Sequence, residues 1–161
     1  MAILNIYTQG HPILKKKAKA VSKVTPAHLK LIKGMIETMK AAPGIGLAAP
    51  QVGVSERIIV IDNEKQIVCL INPKIVSKSG KQTFIEGCLS VPGLEAPVER
   101  YASIRVKALD KTGKPVTIDA EGLFAVIIQH ETDHLDGVLF IDRVKDPKEI
   151  KIKSAKKEET L

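Results

Sequence analysis

Two histidines four residues apart, His130 and His134, enclose Glu131 in an H-E-x-x-H pattern. On a helix, residues four apart lie on the same face, one turn from each other. Both imidazoles can therefore bind one metal ion, and Glu131 can act as a base towards a water molecule that the metal holds. Such a site needs at least a third protein ligand, which must come from elsewhere in the sequence.

The downstream ligand that is typical of zinc proteases is missing. No histidine follows His134, and the nearest suitable glutamate, Glu149, lies in a charged tail. Upstream, Cys88 follows a glycine in a segment without regular strand alternation, and a thiolate is a strong ligand for zinc or ferrous iron. Two histidines and one cysteine would leave the fourth coordination position open, as in catalytic metal sites.

The helix that positions the two histidines is predicted over residues 123–135. Its first half is almost wholly apolar, which is typical of a helix that is buried on all sides. Gly137 is a good stop signal just beyond it. The histidines should therefore emerge inside the core of the protein.

A second, amphipathic helix is predicted from the N-cap Thr25 to about Ala42. Its buried face should contain the apolar residues at spacings of three and four, which are Leu29, Ile32, Ile36 and Met39. Alternating and turn-bounded segments predict strands over 57–62, 67–72, 75–79, 101–110, 115–121 and 138–141. The charged residues 147–157 are predicted to form a C-terminal helix with a frayed end.

The bulk composition fits one globular domain over 1–161, with a charged tail from about residue 145. The net charge of +7 favours an anionic neighbour such as RNA or a membrane surface, although a solvated lysine-rich surface explains it equally well. No apolar run approaches transmembrane length, and no signal peptide is recognisable. With two cysteines only, a reducing cytoplasm is the simplest compartment.

Three stretches together resemble the signature motifs of peptide deformylases. They are residues 44–51 (GIGLAAPQ), 86–90 (EGCLS) and 130–134 (HETDH), in the order and at the spacing of that family. The resemblance implies hydrolysis of the N-formyl group from the initiator methionine of new polypeptides, with release of formate. It also implies an α+β fold, with antiparallel β-sheets around the buried helix that carries H-E-x-x-H.

The resemblance further assigns roles to residues. One divalent metal ion, most often Fe²⁺ with Zn²⁺, Ni²⁺ or Co²⁺ as alternatives, would be held by Cys88, His130 and His134. Glu131 would carry the proton, and the Gln51 side-chain amide and the Leu89 backbone N–H would stabilise the oxyanion.

Candidate residues can also be named for binding the substrate and for supporting the metal ligands. The uncovered backbone of Gly44, Ile45 and Gly46 would pair with an extended peptide. The methionine side chain needs an apolar pocket, for which we expect Ile45, Leu89, Val126 and Ile127; the last two could equally be plain core. Partners that orient the metal ligands are expected from Glu86, Arg100 and Asp133.

The expected partners are N-formyl-methionyl nascent peptides and the ribosome surface, with no membrane and no DNA. The location would be the cytoplasm, or an organelle matrix if the source is a eukaryote. Two other functions remain open at this point: a non-catalytic metal- or RNA-binding module on the same scaffold, and a metal-dependent hydrolase of another amide.

Overall fold

A computed structural model describes residues 3–153 and 161, and this part of the chain contains two α-helices and eight strands. The helices are α1 (Pro26–Ala41) and α2 (Gly122–Leu135). The strands are β1 (Gly46–Ala48), β2 (Ile58–Asp62), β3 (Ile67–Ser79), β4 (Gln82–Cys88), β5 (Val91–Arg100), β6 (Ser103–Leu109), β7 (Pro115–Glu121) and β8 (Lys151–Ile152).

The strands form two antiparallel sheets. One has five strands in the order β1-β2-β3-β6-β7, and the other has three in the order β4-β5-β8. The apolar first half of α2 packs on the five-stranded sheet in one core cluster, as a helix without a polar face must. The predicted α+β class, with antiparallel sheets around the buried H-E-x-x-H helix, is confirmed.

Helix α1 begins and ends where its capping signals predict. The backbone N–H of the N-cap Thr25 donates a hydrogen bond to Nδ1 of His28, which closes the first turn. The buried face is rotated slightly from the predicted one, since Met35 is fully buried whereas Leu29 is 45% exposed. Thr38, which a hydropathy pattern overlooks, is also buried, because its hydroxyl group is hydrogen-bonded within the helix and to the N-terminal arm.

The two strands predicted over 67–72 and 75–79 are one continuous strand, β3. Asn72 and Pro73 do not end it; the pairing of β3 with β6 instead shifts its register between Ile71 and Lys74. Asn72 adopts a left-handed backbone conformation there (φ 54°), which asparagine tolerates better than most residues. A turn signal inside a strand thus marks a bulge in this protein.

The predictions for the chain after α2 are wrong in detail. The expected strand over 138–141 is replaced by a 3₁₀ helix at Phe140–Arg143. Within the expected helix over 147–157, the structure has a single 3₁₀ turn at Pro147–Glu149 followed by β8, and residues 154–157 lie outside the described residues. Ile152 pairs with Leu94 of β5, and this long-range pairing prevails over the weak local helix pattern.

Candidate active site

The three predicted metal ligands meet at one buried point. Cys88 is the last residue of β4, and His130 and His134 lie one turn apart on α2. Their ligand atoms all lie within 4.8 Å of one another. Residues from distant parts of the sequence therefore form one His₂Cys cluster.

The hydrogen bonds of this cluster suit a metal ion. Nδ1 of His130 is 2.8 Å from a carboxylate oxygen of Glu86, so that carboxylate fixes the proton on Nδ1 and leaves Nε2 as an electron-pair donor. Within the described residues, this buried Nε2 has no hydrogen-bond partner. Nε2 of His134 lies 3.3 Å from the Cys88 sulfur. Two imidazoles and a thiol, all buried and with a nitrogen left unpaired, fit a divalent metal.

The predicted supporting residues form one ion network behind His130. Arg100, at the end of β5, donates two hydrogen bonds of 2.9 Å to Glu86 and one of 2.6 Å to Asp133. Arg143 donates two more to Asp133. Glu86, Arg100 and Asp133 therefore lie where the sequence placed them. Arg143 was missed because it comes close to Asp133 only in the folded protein. Nothing in the sequence indicates that this segment packs beside α2.

This network sets the charge state of Glu86. Burial alone would disfavour the carboxylate, but hydrogen bonds from Arg100 and His130 outweigh it and hold the pKa of Glu86 below its ordinary value. Glu86 thus stays ionised at neutral pH and remains an acceptor for His130.

Glu131 lies beside the cluster in a different environment. It is fully buried, and among the described residues neither of its carboxylate oxygens has a hydrogen-bond partner. Burial raises its pKa to about 7. A carboxyl group that titrates near neutral pH can both take and return a proton.

The 44–53 segment supplies an edge strand and a buried amide. Strand β1 lies at the edge of the five-stranded sheet, and the 3₁₀ helix Ala49–Val52 follows it. Oε1 of Gln51 accepts a hydrogen bond from the Ala48 N–H, which turns the Gln51 NH₂ group towards Cys88, 3.7 Å from its sulfur. The predicted oxyanion donor therefore faces the metal ligands.

A cavity of about 370 Å³ with a mixed polar and apolar lining adjoins the cluster. Its apolar lining includes Ile45, Phe84, Val126, Ile127 and Leu161. Three of the four predicted pocket residues are among these, and Val126 and Ile127 belong to the core at the same time. The side chain of the fourth, Leu89, packs instead on the cluster beneath α1. Phe84 was missed because no strand was predicted over the segment that forms β4.

The backbone N–H of Leu89 has a partner from the end of the chain. It donates a hydrogen bond of 3.0 Å to the carbonyl oxygen of Leu161. The Leu161 side chain is buried in the same cavity. No sequence pattern indicates this contact. Gly44 has a different role from the one expected of it, since its N–H group donates to the Met39 carbonyl oxygen at the end of α1.

Comparison with known proteins gives the family. A family model described as "Polypeptide deformylase" matches residues 3–149. The chain belongs to the polypeptide deformylase family. Members of this family are hydrolases that remove the N-formyl group from the initiator methionine of new polypeptides, and this is the activity of the chain.

Individual relatives agree with the family assignment. The chain is 54% identical to the peptide deformylase of Symbiobacterium thermophilum over 89% of this chain and 67% of the relative. It is 53% identical to that of Halothermothrix orenii over 89% of this chain and 95% of the relative. Both similarities extend over all three motifs.

Solved structures of deformylases have the same fold. The Thermotoga maritima enzyme superimposes with a TM-score of 0.89 at 42% identity, covering 91% of this chain and all (100%) of that one. The Synechococcus elongatus enzyme in complex with actinonin also gives 0.89, at 44% identity, covering 92% of this chain and 82% of that one. No helix among the described residues is long and apolar enough to cross a membrane.

Proposed function

We propose that the His₂Cys cluster and Glu131 together perform deformylation in this chain. The observation that carries the proposal is their arrangement: Cys88, His130 and His134 converge, the adjacent Glu131 carboxylate is buried without a hydrogen-bond partner among the described residues, and the Gln51 amide faces Cys88. A non-catalytic module would have no need to keep an unpaired carboxylate buried, since such a group costs stability. An active hydrolase uses it.

The reaction adds one water molecule to the formyl amide and gives formate and a free amine. Cys88, His130 and His134 would hold a divalent metal, which would supply Lewis-acid polarisation of the formyl carbonyl group and a lower pKa for a bound water molecule. Glu131 takes a proton from the attacking water and returns it to the amine nitrogen as the C–N bond breaks. The Gln51 NH₂ group and the Leu89 N–H donate hydrogen bonds to the oxygen that becomes negative.

The substrate is proposed to bind as an extended chain along β1. This strand has a neighbour on one side only among the described residues, so its other edge, at Gly46, is open to pairing, whereas the Ile45 carbonyl oxygen already accepts from the Asp62 N–H of β2. The methionine side chain would enter the cavity beside Val126 and Ile127. Backbone pairing carries little sequence information, so residues after the methionine should matter little.

The metal is proposed to be Fe²⁺, with Zn²⁺, Ni²⁺ or Co²⁺ as substitutes. One thiolate and two imidazoles suit all four ions, so the preference for Fe²⁺ comes from the resemblance to deformylases and not from the ligand set alone. Glu86 and the ion pair behind it would keep His130 in the tautomer that binds metal. Metal analysis after anaerobic purification identifies the ion.

Nascent chains and the ribosome are the proposed partners, in the cytoplasm. Lys74 of β3 and Lys107 of β6 are cross-strand partners with exposed side chains. Like charges at directly opposed positions are unfavourable, and an RNA phosphate would relieve them. Co-sedimentation with ribosomes should fall as salt rises and weaken in the Lys74→Glu/Lys107→Glu variant; binding that is insensitive to both would refute this contact.

The test of the proposed roles is Glu131→Gln, which keeps the shape of the side chain and removes its ability to take a proton. Formate release from formyl-Met peptides should drop by a factor of about 100 or more, while metal content and the thermal unfolding midpoint stay close to wild type. The rates at which the wild-type enzyme hydrolyses formyl-Met and acetyl-Met peptides are also compared. A deformylase should act on the formyl peptide in preference, whereas a hydrolase of other amides should not. A Glu131→Gln enzyme with normal turnover would overturn the mechanism.

A further inference from the structure

A buried serine contacts the catalytic amide from the side opposite Ala48. Ser90 is fully buried, two residues after the ligand Cys88. Its hydroxyl group donates a hydrogen bond of 2.7 Å to the Tyr7 carbonyl oxygen. The Gln51 Nε2 in turn donates one of 3.1 Å to the Ser90 oxygen.

These bonds leave the Gln51 amide only one orientation. Because the single hydroxyl proton of Ser90 is used by Tyr7, the Ser90 oxygen can only accept from Gln51. Because the Ala48 N–H donates to Oε1, the oxygen end of the amide is fixed as well. A flipped amide would place two donors together at Ala48 and two oxygens without a shared proton at Ser90. One N–H of Gln51 therefore points to Ser90, and the other is directed at the metal cluster, where it faces the Cys88 sulfur at 3.7 Å.

The N-terminal arm closes this arrangement into a ring. The Tyr7 N–H donates to the Gln51 carbonyl oxygen at 2.7 Å, and the Gln9 N–H donates to the Ser90 carbonyl oxygen at 2.7 Å. The arm thus holds the backbone of Gln51 and the backbone of Ser90 at a fixed separation. A donor that is held in place before the reaction stabilises a developing charge without reorganising.

We propose that Ser90, anchored by the Tyr7 carbonyl, is a positioning residue that aims the Gln51 amide at the oxyanion. Ser90 does not touch the substrate in this role. The inference rests on the proposed role of Gln51. It predicts that losing the Ser90 hydroxyl lowers kcat and leaves substrate affinity almost unchanged.

The experiment compares Ser90→Ala with a matched control, Thr38→Ala. Thr38 is also a buried hydroxyl that ties down the N-terminal arm, since it accepts from the Leu4 N–H and donates to the Gly34 carbonyl oxygen, but it lies in α1 and does not contact Gln51. Ser90→Ala should lower kcat about 10-fold with KM changed by less than about twofold. Thr38→Ala should lower the thermal unfolding midpoint and leave kcat unchanged.

A double-mutant cycle with Gln51→Ala identifies the route. If Ser90 acts through Gln51, adding Ser90→Ala to the Gln51→Ala variant should lower kcat by less than about twofold. Ser90→Cys keeps a side chain of similar volume and a weak hydrogen-bond acceptor, so its kcat should lie between those of the wild type and Ser90→Ala. If Ser90→Ala does not fold, Ser90→Cys takes its place in the cycle. Normal kcat in both Ser90 variants, or an undiminished loss in the Gln51→Ala background, overturns the proposal. Wild-type enzyme without formate release would instead refute the proposed function itself.

Discussion

At the scale of single residues, the position of the Glu131 carboxylate depends on Gly46 having no side chain. A Cβ atom built on Gly46 would lie 2.5 Å from a carboxylate oxygen of Glu131 and 3.0 Å from the Ile127 side chain. The first distance is shorter than real Cβ contacts and the second is tighter than most of them, so any larger residue there must displace Glu131 and press on the cavity wall. The glycine in the first motif thus serves the base on α2, in addition to leaving the backbone of β1 uncovered.

Gly46→Ala should therefore impair catalysis more than folding. The carboxylate is the end of a side chain and can move, so we expect kcat to fall about 10-fold or more, because a small misplacement of a catalytic group is costly. The unfolding midpoint should change by only a few degrees. The measurement is kcat for formyl-Met peptides beside thermal unfolding, and a variant with normal kcat would show that Glu131 tolerates displacement.

At the scale of elements, Arg100 connects the three-stranded sheet to α2. It lies at the end of β5 and binds Glu86 of β4 and Asp133 of α2. The carboxylates of Glu86 and Asp133 are both largely shielded from water. Charges without water around them attract each other strongly, and leaving one of them unpaired is costly. One guanidinium group therefore holds together the two elements that carry the metal ligands.

Arg100→Ala should weaken both the fold and metal binding. Removing one partner of a buried ion pair typically costs about 3–5 kcal/mol, and loss of support behind a metal ligand reduces metal affinity by about 10–100-fold. Urea unfolding and a metal-competition titration measure the two effects. The matched control is Arg105→Ala on β6, whose pair with Asp119 is exposed and should contribute little to stability. Equal effects of the two substitutions would refute the role given to Arg100.

How well the sequence predicts the site depends on whether its residues lie in one element or in several. His130 and His134 could be predicted because four-residue spacing fixes their relative position within one helix, and Cys88 because its chemistry completes the set. The resemblance supplied Gln51 and Leu89, whose roles depend on a backbone path that spacing alone does not define. Arg143 and the pairing of β8 with β5 could not be predicted, because both depend on contacts between segments far apart in sequence.

At the scale of the whole molecule, the far end of the described chain returns to the site. Leu161 lines the cavity, and its carbonyl oxygen accepts the hydrogen bond from the Leu89 N–H that the proposed mechanism assigns to the substrate oxygen. The Lys153 N–H donates a hydrogen bond to the Gly93 carbonyl oxygen of β5. We therefore expect a formylated peptide to compete with Leu161 for the Leu89 N–H.

Leu161→Asp should therefore lower KM for formyl-Met peptides and leave kcat unchanged. A competitor bound within the same chain raises the apparent dissociation constant of the substrate, which equals the intrinsic constant divided by the fraction of molecules whose site is free. A buried leucine contributes about 2 kcal/mol to that competition, and burying a charged side chain in its place would be costly. We expect KM to decrease several-fold, with an upper limit of about 30-fold that corresponds to about 2 kcal/mol. Ile152→Asp is the matched control, because Ile152 is 86% exposed and lies outside the cavity; its KM should equal that of wild type. A KM unchanged by Leu161→Asp would mean that the substrate does not compete with Leu161, and the cavity would then not be the methionine pocket.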